Sequence, residues 1–271
     1  MSAFNSILIV GCGNMGGAML AGWLATGISP GVFTIVDPRL GAAPDGVTLL
    51  DELPGKGAFD AILLGVKPQM LGDVAPALEP LARPGVVLLS ILAGVELATL
   101  ADRFPRAGGR VRVMPNLAAA LGKSPVALVA DEATGAEARG SVDGLMARLG
   151  TAEWLESEGL MDLVTALAGS GPAFVYRFID ALAAGATELG LPAAQSQRLA
   201  LSMVEGAAAL AAVSEHAPGE LARRVASPGG TTQVGIDILD KDQALARLMR
   251  ETLRGARDRS AEMAREASGK N

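Results

Sequence analysis

The sequence predicts an α/β fold, with a doubly wound parallel sheet in the first half and an all-α second half. Three observations carry this reading. Short continuous runs of Val, Ile and Leu recur through the first half, as in strands covered on both faces. Helical patterns lie between some of them, which gives a βαβ rhythm. After about Leu155 the strand signals stop and long helical patterns take over.

Taken in order, strands are expected at Ile7 to Val10, Val32 to Val36, Ala61 to Val66, Val86 to Ile91 and Val111 to Met114, with Val126 to Ala130 extending the sheet. Helices are expected near Ala18 to Thr26, Met70 to Leu81 and Glu96 to Phe104. Farther on, Asp162 to Leu167 leads to a break at Gly169-Ser170-Gly171. Pro172 suits the first turn of a helix reaching about Leu189, and Gly190 and Pro192 end it. Ala193 to Val213 is small and apolar on nearly every side, which predicts burial all round. Lys241 to Ala267 keeps Leu245, Leu248, Met249 and Leu253 on one stripe, so it reads as an amphipathic helix docked on another surface. The resulting domains are 1–155 and 156–271. So short a helical domain cannot bury an all-apolar helix by itself, and a homodimer through this half is expected, with further assembly of dimers left open.

Composition narrows the function. Half the residues are apolar but only 3% are aromatic, which favours close helix packing over a β-sandwich. A net charge of −6 offers no field to attract a phosphate backbone, so nucleic acid is not the expected partner. Cys12 is the only cysteine, leaving neither a disulfide nor a thiolate cluster for a metal, and a reducing cytoplasm fits best. The chain opens directly on a strand pattern with no basic segment or cleavage site before it, and no apolar stretch reaches the length of a membrane span. A cytoplasmic protein without a membrane segment is expected.

The first strand is followed at once by Gly11-Cys12-Gly13-Asn14-Met15-Gly16-Gly17 and then by a helical pattern. This is Gly-x-Gly-x-x-Gly in the context that a Rossmann-like dinucleotide site requires. Gly11 permits the tight turn, Gly13 removes a side chain that would meet a pyrophosphate, and Gly16 lets the helix approach the strand. The helix start then offers free N–H groups to the phosphates. Asp37 ends the second strand about twenty positions after Gly16, where an acidic side chain accepts from a ribose 2′-hydroxyl and favours NAD. Arg39 lies two positions on and could instead neutralise a 2′-phosphate, so NADPH or NADH remains the expectation.

Nucleophilic and metal chemistry find no constellation. The only histidine is His216, Cys12 sits in the glycine loop, and neither a Gly-x-Ser-x-Gly nor a His-Glu-x-x-His motif is present. Hydride transfer needs neither, because the cofactor carries the chemistry and the protein supplies position and electrostatics. A protonated imine suits such an enzyme, its carbon being activated before hydride arrives.

Six blocks occur in order: Gly-Cys-Gly-Asn-Met-Gly at 11–16, Val66-Lys67-Pro68, Ala93-Gly94-Val95, Arg112-Val113-Met114-Pro115-Asn116, Gly169-Ser170-Gly171-Pro172-Ala173-Phe174 and Ser227-Pro228-Gly229-Gly230-Thr231-Thr232. Together they resemble pyrroline-5-carboxylate reductase from end to end, the last block being the most specific. The resemblance implies a 6-phosphogluconate-dehydrogenase-like plan and reduction of 1-pyrroline-5-carboxylate to L-proline, the last step of proline synthesis. It also implies cofactor contacts at Gly11, Gly13, Asn14, Met15, Gly16, Val66, Lys67, Pro68 and Ala93, which join the Asp37 contact read from its place after the second strand. Substrate contacts are implied at Ser170, Ser227, Gly230, Thr231 and Thr232, with Thr232 at the ring nitrogen as the catalytic hydroxyl and no metal. Gly229 and Gly230 are expected to expose N–H groups as a carboxylate nest at a helix start.

Two departures stand out. Leu117-Ala118 follow Asn116 where the family has Thr-Pro, and Ala217 rather than His precedes Pro218, so His216 is given no catalytic role. Lys67 matches a segment that lines the cofactor through its backbone, which argues against acid catalysis by its amine. Related reductases of β-hydroxy acids need a lysine acid in the helical domain, and none occurs between Met161 and Lys241. A dinucleotide sensor without turnover would have no use for the Ser227 to Thr232 block.

Overall fold

The computed structural model describes residues 4–268. Its sheet has the strands β1 Ile7–Val10, β2 Phe33–Val36, β3 Thr48–Leu50, β4 Ala61–Leu64, β5 Val87–Ser90, β6 Gly109–Met114, β7 Ser124–Ala130 and β8 Gly150–Trp154. They lie in the order β3-β2-β1-β4-β5-β6-β7-β8. Strand β7 pairs antiparallel with β6, and β8 pairs parallel with β7, so the parallel sheet expected from sequence reverses direction once, at its far side.

Alternation along the strands divides the core. Ile7, Ile9, Phe33, Ile35, Leu63 and Leu89 point into one apolar layer, and Leu8, Val10, Ile62, Leu64 and Leu88 into the other. Helices α1 Asn14–Ala25 and, once α2 Leu71–Leu78 and α3 Leu97–Arg103 have passed, α4 Ala136–Met146 cover the first layer with Met19, Trp23, Val142 and Leu145. Helices α2 and α3 cover the second with Leu71, Leu78 and Leu100. Trp23 stacks on Phe33 with ring centroids 5.5 Å apart, and its indole N–H donates to the Leu145 carbonyl at 3.0 Å. This satisfies a polar group that burial would otherwise penalise.

The short α5 Met161–Val164 runs through a π-helical turn, Thr165–Gly169, toward α6 Gly171–Glu188. Then come α7 Ala193–Val213, α8 Pro218–Val225, α9 Thr231–Asp240 and α10 Ala244–Ser268. Asp242 and Gln243 adopt positive φ and separate α9 from α10. The chain divides into two compact units, one running to Gly169 and taking up the chain again from Ala256, the other spanning Ser170–Gly255.

The first unit thus extends past the expected 155/156 division. Arg112 pairs with Glu158 at 2.7 Å, Glu158 also accepts the Leu97 N–H at 2.8 Å, and the Asn116 side chain donates to the Ala168 carbonyl at 3.0 Å. Those bonds tie residues 158–168 to the sheet. The later part of α10 docks on the same unit, where Ser260 donates to Asp162 at 2.7 Å and Ala264 closes on Gly94.

In the second unit α7 packs on α6. The burial expected on every side of α7 does not occur within this single chain. Of its residues only Ser196 and Ala200 are buried, while Leu199, Leu201, Met203 and Leu210 are each at least half exposed. One neighbouring helix covers one stripe, and a helix with apolar residues on several sides needs more than one.

Candidate active site

The sheet reverses its winding between β1 and β4, and that switch point holds the glycine loop at the carboxyl ends of the strands, the place where ligands of open α/β sheets bind. Gly11 has φ +85°, and a Cβ there would lie 2.7 Å from the Val66 nitrogen. Gly65, at the end of β4, approaches the Gly11 carbonyl so closely that a side chain would strike it. Gly16 would place its Cβ 3.0 Å from the same carbonyl, so α1 starts tight against β1. Gly13 differs. It has ordinary φ, and a Cβ there would meet nothing within 4 Å. The space before it is open, as a cradle for a pyrophosphate must be, and the residues present fit a dinucleotide.

A cleft of about 530 Å³ opens at this point. Among the expected cofactor residues, Gly11, Gly13, Asn14, Met15, Asp37, Val66, Lys67, Pro68 and Ala93 line it, and Gly16 lies behind the loop in the helix packing. Sequence reasoning missed Asp51 and Glu52, which follow β3 and line the same cleft, and Gly65. The signal for the carboxylates was their place after a strand, but a three-residue edge strand is too short to recognise. Asp37 is buried, its Oδ2 accepting the Cys12 N–H at 2.9 Å and its Oδ1 the Arg39 N–H at 3.0 Å. Burial, and secondarily the charge of Asp37, push the Cys12 thiol up to about 11, so Cys12 stays protonated beside the loop.

Lys67 begins the turn Lys67 to Met70 and is exposed, its carbonyl accepting the Met70 N–H at 2.9 Å. Ala93 lies in a loop held from both ends, by Glu158 at the start of α3 and by Ala264 against Gly94, whose φ is +74°.

The expected substrate residues all belong to the helical unit. Ser227 to Gly230 form a turn closed by the Gly230 N–H donating to the Ser227 carbonyl at 2.9 Å, with Gly229 at φ +70°. Gly230 is therefore not a free donor, unlike the expectation that Gly229 and Gly230 both expose N–H groups. The first helical bond of α9 is that from the Val234 N–H to the Gly230 carbonyl, which leaves Thr231, Thr232 and Gln233 with N–H groups that no intrahelical acceptor takes. Ser227, Thr231 and Thr232 are exposed. Ser170 precedes α6, its carbonyl accepting the Ala173 N–H at 3.0 Å, and among the described residues no hydrogen bond joins it to the Ser227 turn. His216 is exposed, as a surface group would be. Among the described residues no group of His, Cys, Asp and Glu could hold a metal, and no helix is long and apolar enough to cross a membrane.

Comparison with known proteins decides the family. The family model for pyrroline-5-carboxylate reductase dimerisation matches residues 158–263. The pyrroline-5-carboxylate reductase of Pseudomonas aeruginosa is 34% identical over 264 residues, covering 95% of this chain and 96% of its own. The chain belongs to the pyrroline-5-carboxylate reductases. A solved pyrroline-5-carboxylate reductase from Coxiella burnetii is similar throughout, with 28% identity, a TM-score of 0.87 and coverage of 95% of this chain and 98% of that one. The Plasmodium falciparum pyrroline carboxylate reductase, solved with NADP bound, shares the fold at 24% identity with a TM-score of 0.80, covering 97% and 99%. Within the pyrroline-5-carboxylate reductase family, the Rossmann-like sheet and the helical region described above are the common architecture.

Proposed function

We propose that this chain reduces 1-pyrroline-5-carboxylate to L-proline with NADPH or NADH, the last step of proline synthesis. The observation that carries it is the open space before Gly13 at the β1/β4 switch point, in a cleft lined by nearly every residue that the family resemblance names for the cofactor. The nicotinamide cofactor supplies the hydride when bound. Gly13, Asn14 and the start of α1 would hold its pyrophosphate with backbone N–H groups, and Val66, Lys67, Pro68 and Ala93 line the rest of the cleft.

In the helical unit, the N–H groups of Thr231, Thr232 and Gln233 suit a substrate carboxylate, with the Ser227 hydroxyl beside them and Gly230 keeping the turn compact. Ser170, at the start of α6, is assigned a further substrate contact. The Thr232 Oγ1 hydroxyl orients the imine nitrogen by a hydrogen bond and relays the proton that this nitrogen gains, a task that requires no strong acid. The absence of lysine from Met161 to Asp240 matches such a mechanism.

The protein acts as a homodimer through the helical domain. Support comes from the dimerisation family match and from Val175, Tyr176, Phe178, Leu199 and Leu201, which stand exposed in the single chain. Light scattering after size exclusion should give twice the chain mass, and a monomer mass would remove this claim. A cytoplasmic location is supported by the lone, buried Cys12.

Thr232→Ala tests the catalytic assignment. Turnover should fall at least about tenfold while cofactor affinity stays within about twofold, since one positioned proton relay contributes on this scale or above. Unchanged turnover would remove Thr232 from the mechanism.

A further inference from the structure

We infer that this chain binds NADH in preference to NADPH, and that Asp37, Asp51 and Glu52 set the choice. The inference rests on the cleft at the glycine loop being the dinucleotide site proposed above.

The two cofactors differ only by a phosphate on the adenosine 2′-oxygen, which adds nearly two negative charges at neutral pH. Asp37 directly follows β2, beside the glycine loop, the place in a dinucleotide site where a carboxylate meets the ribose. Its orientation is fixed from two sides, by the Cys12 N–H of the glycine loop at 2.9 Å and by the Arg39 N–H of its own turn at 3.0 Å. Each carboxylate oxygen keeps a further acceptor direction. The 2′-hydroxyl of NADH can donate to it, whereas a 2′-phosphate has no comparable donor and brings like charge against a buried carboxylate.

Asp51 and Glu52 lie where β3, the partner of β2, ends, and they add two carboxylates to the same cleft. Arg39 is the counter-argument. It lines the cleft and also a hollow of about 480 Å³ shared with Cys12, Gly13, Asn14, Gly17 and Asp37, and its guanidinium has no ion pair among the described residues. One guanidinium can offset one carboxylate of the three. Lys67 follows β4 and belongs to the opposite side of the switch point. The β2–β3 wall therefore stays net negative, a poor seat for a phosphate dianion and a good acceptor for a hydroxyl.

Calorimetric titration of the full-length protein with NADH and with NADPH, in the absence of substrate, tests this. NADH should bind at least about tenfold more tightly, the scale expected when one buried acceptor is paired with one cofactor and left facing like charge with the other. Equal or tighter binding of NADPH overturns the inference, as does binding of neither. Asp37→Ser should bring the two affinities to within about threefold. Because Asp37 also braces the glycine loop, D51N/E52Q serves as a second variant. Both of its positions are exposed, and it should strengthen NADPH binding several-fold. An affinity ratio unchanged in both variants would overturn the role given to the carboxylates. Loss of the imine reaction with cofactor binding intact would strike the proposed function and leave this inference standing.

Discussion

Replacing Gly11 and Gly13 by alanine, one at a time, should separate a glycine that the fold needs from one that the ligand needs. At Gly11 the chain has φ +85°, and the new Cβ would lie 2.7 Å from the Val66 nitrogen and 2.9 Å from both the Gly65 carbonyl carbon and Val66 Cγ1. The left-handed region costs an alanine about 1–2 kcal/mol. Overpacking against backbone adds about 1–3 kcal/mol, at the upper part of that range because neither β1 nor β4 can yield. A loss of about 3–4 kcal/mol should lower Tm by roughly 6–16 °C for a protein of this size. At Gly13, φ is −70° and a Cβ would meet no atom within 4 Å. Alanine there loses a little as a helix cap but stiffens the unfolded chain by a similar amount, so stability should change by less than about 0.5 kcal/mol. Its methyl group would nevertheless stand in the open space that the proposed site gives to the pyrophosphate. Thermal melts paired with cofactor titrations read both effects. Gly11→Ala should show a lowered Tm, and Gly13→Ala a wild-type Tm with cofactor affinity reduced at least about tenfold. A Gly13→Ala protein that binds cofactor normally, or one that melts as early as Gly11→Ala, would refute the reasoning.

Three further predictions concern the same unit. Burial raises the Asp131 carboxyl, but hydrogen bonds from Arg110 and Thr134 and the charge of Arg110 outweigh it and hold the group below the usual carboxylate range. Its contribution to stability is therefore complete above about pH 4 and lost as pH falls through the lowered folded value. Asp131→Asn should cost about 2 kcal/mol at pH 7, and urea melts should show the gap closing at low pH; a gap independent of pH would count against the assignment. Cys12, with its thiol raised to about 11, should react with iodoacetamide at pH 8 far more slowly than a free cysteine, and fast labelling of the native protein would contradict the buried, protonated state. At Gly94, φ +74° combines with a Cβ that would lie 2.8 Å from the Ala264 Cα, so Gly94→Ala should destabilise by about 2–4 kcal/mol and raise the KM for cofactor through the Ala93 loop. Ala264→Gly should not rescue it, since the obstructing Cα remains; full rescue would show that the contact is misplaced.

The parallel strands could be read from sequence because burial on both faces writes itself as unbroken apolar runs, as in Ile7 to Val10 and Ala61 to Leu64. Strand β3 escaped because an edge strand of three half-exposed residues carries no such run, and β8 because Gly-Thr-Ala-Glu-Trp alternates polar and apolar at the other edge. Helix α4 escaped because Gly140 and Gly144 interrupt it and its outer face is polar. Helix α1 begins at Asn14, four residues before the expected start, because the glycine motif runs on into the first helical turn.

For the site, the glycine loop, Asp37, Val66 to Pro68 and Ala93 were legible as ordered motifs, and the fold brings them to one cleft. What motifs could not convey was register: which N–H of the Ser227 to Thr232 turn is already used, and which carboxylates β3 adds beside Asp37. Both depend on backbone hydrogen bonds between segments rather than on residue type.

The most direct test of the account is the loss of reduced-cofactor absorbance when purified protein meets racemic 1-pyrroline-5-carboxylate with NADPH and, separately, NADH, with proline quantified in the product. Rapid cofactor oxidation with matching proline formation is the predicted result. No proline with either cofactor, in protein that binds the cofactor in its cleft, would contradict the assigned reaction.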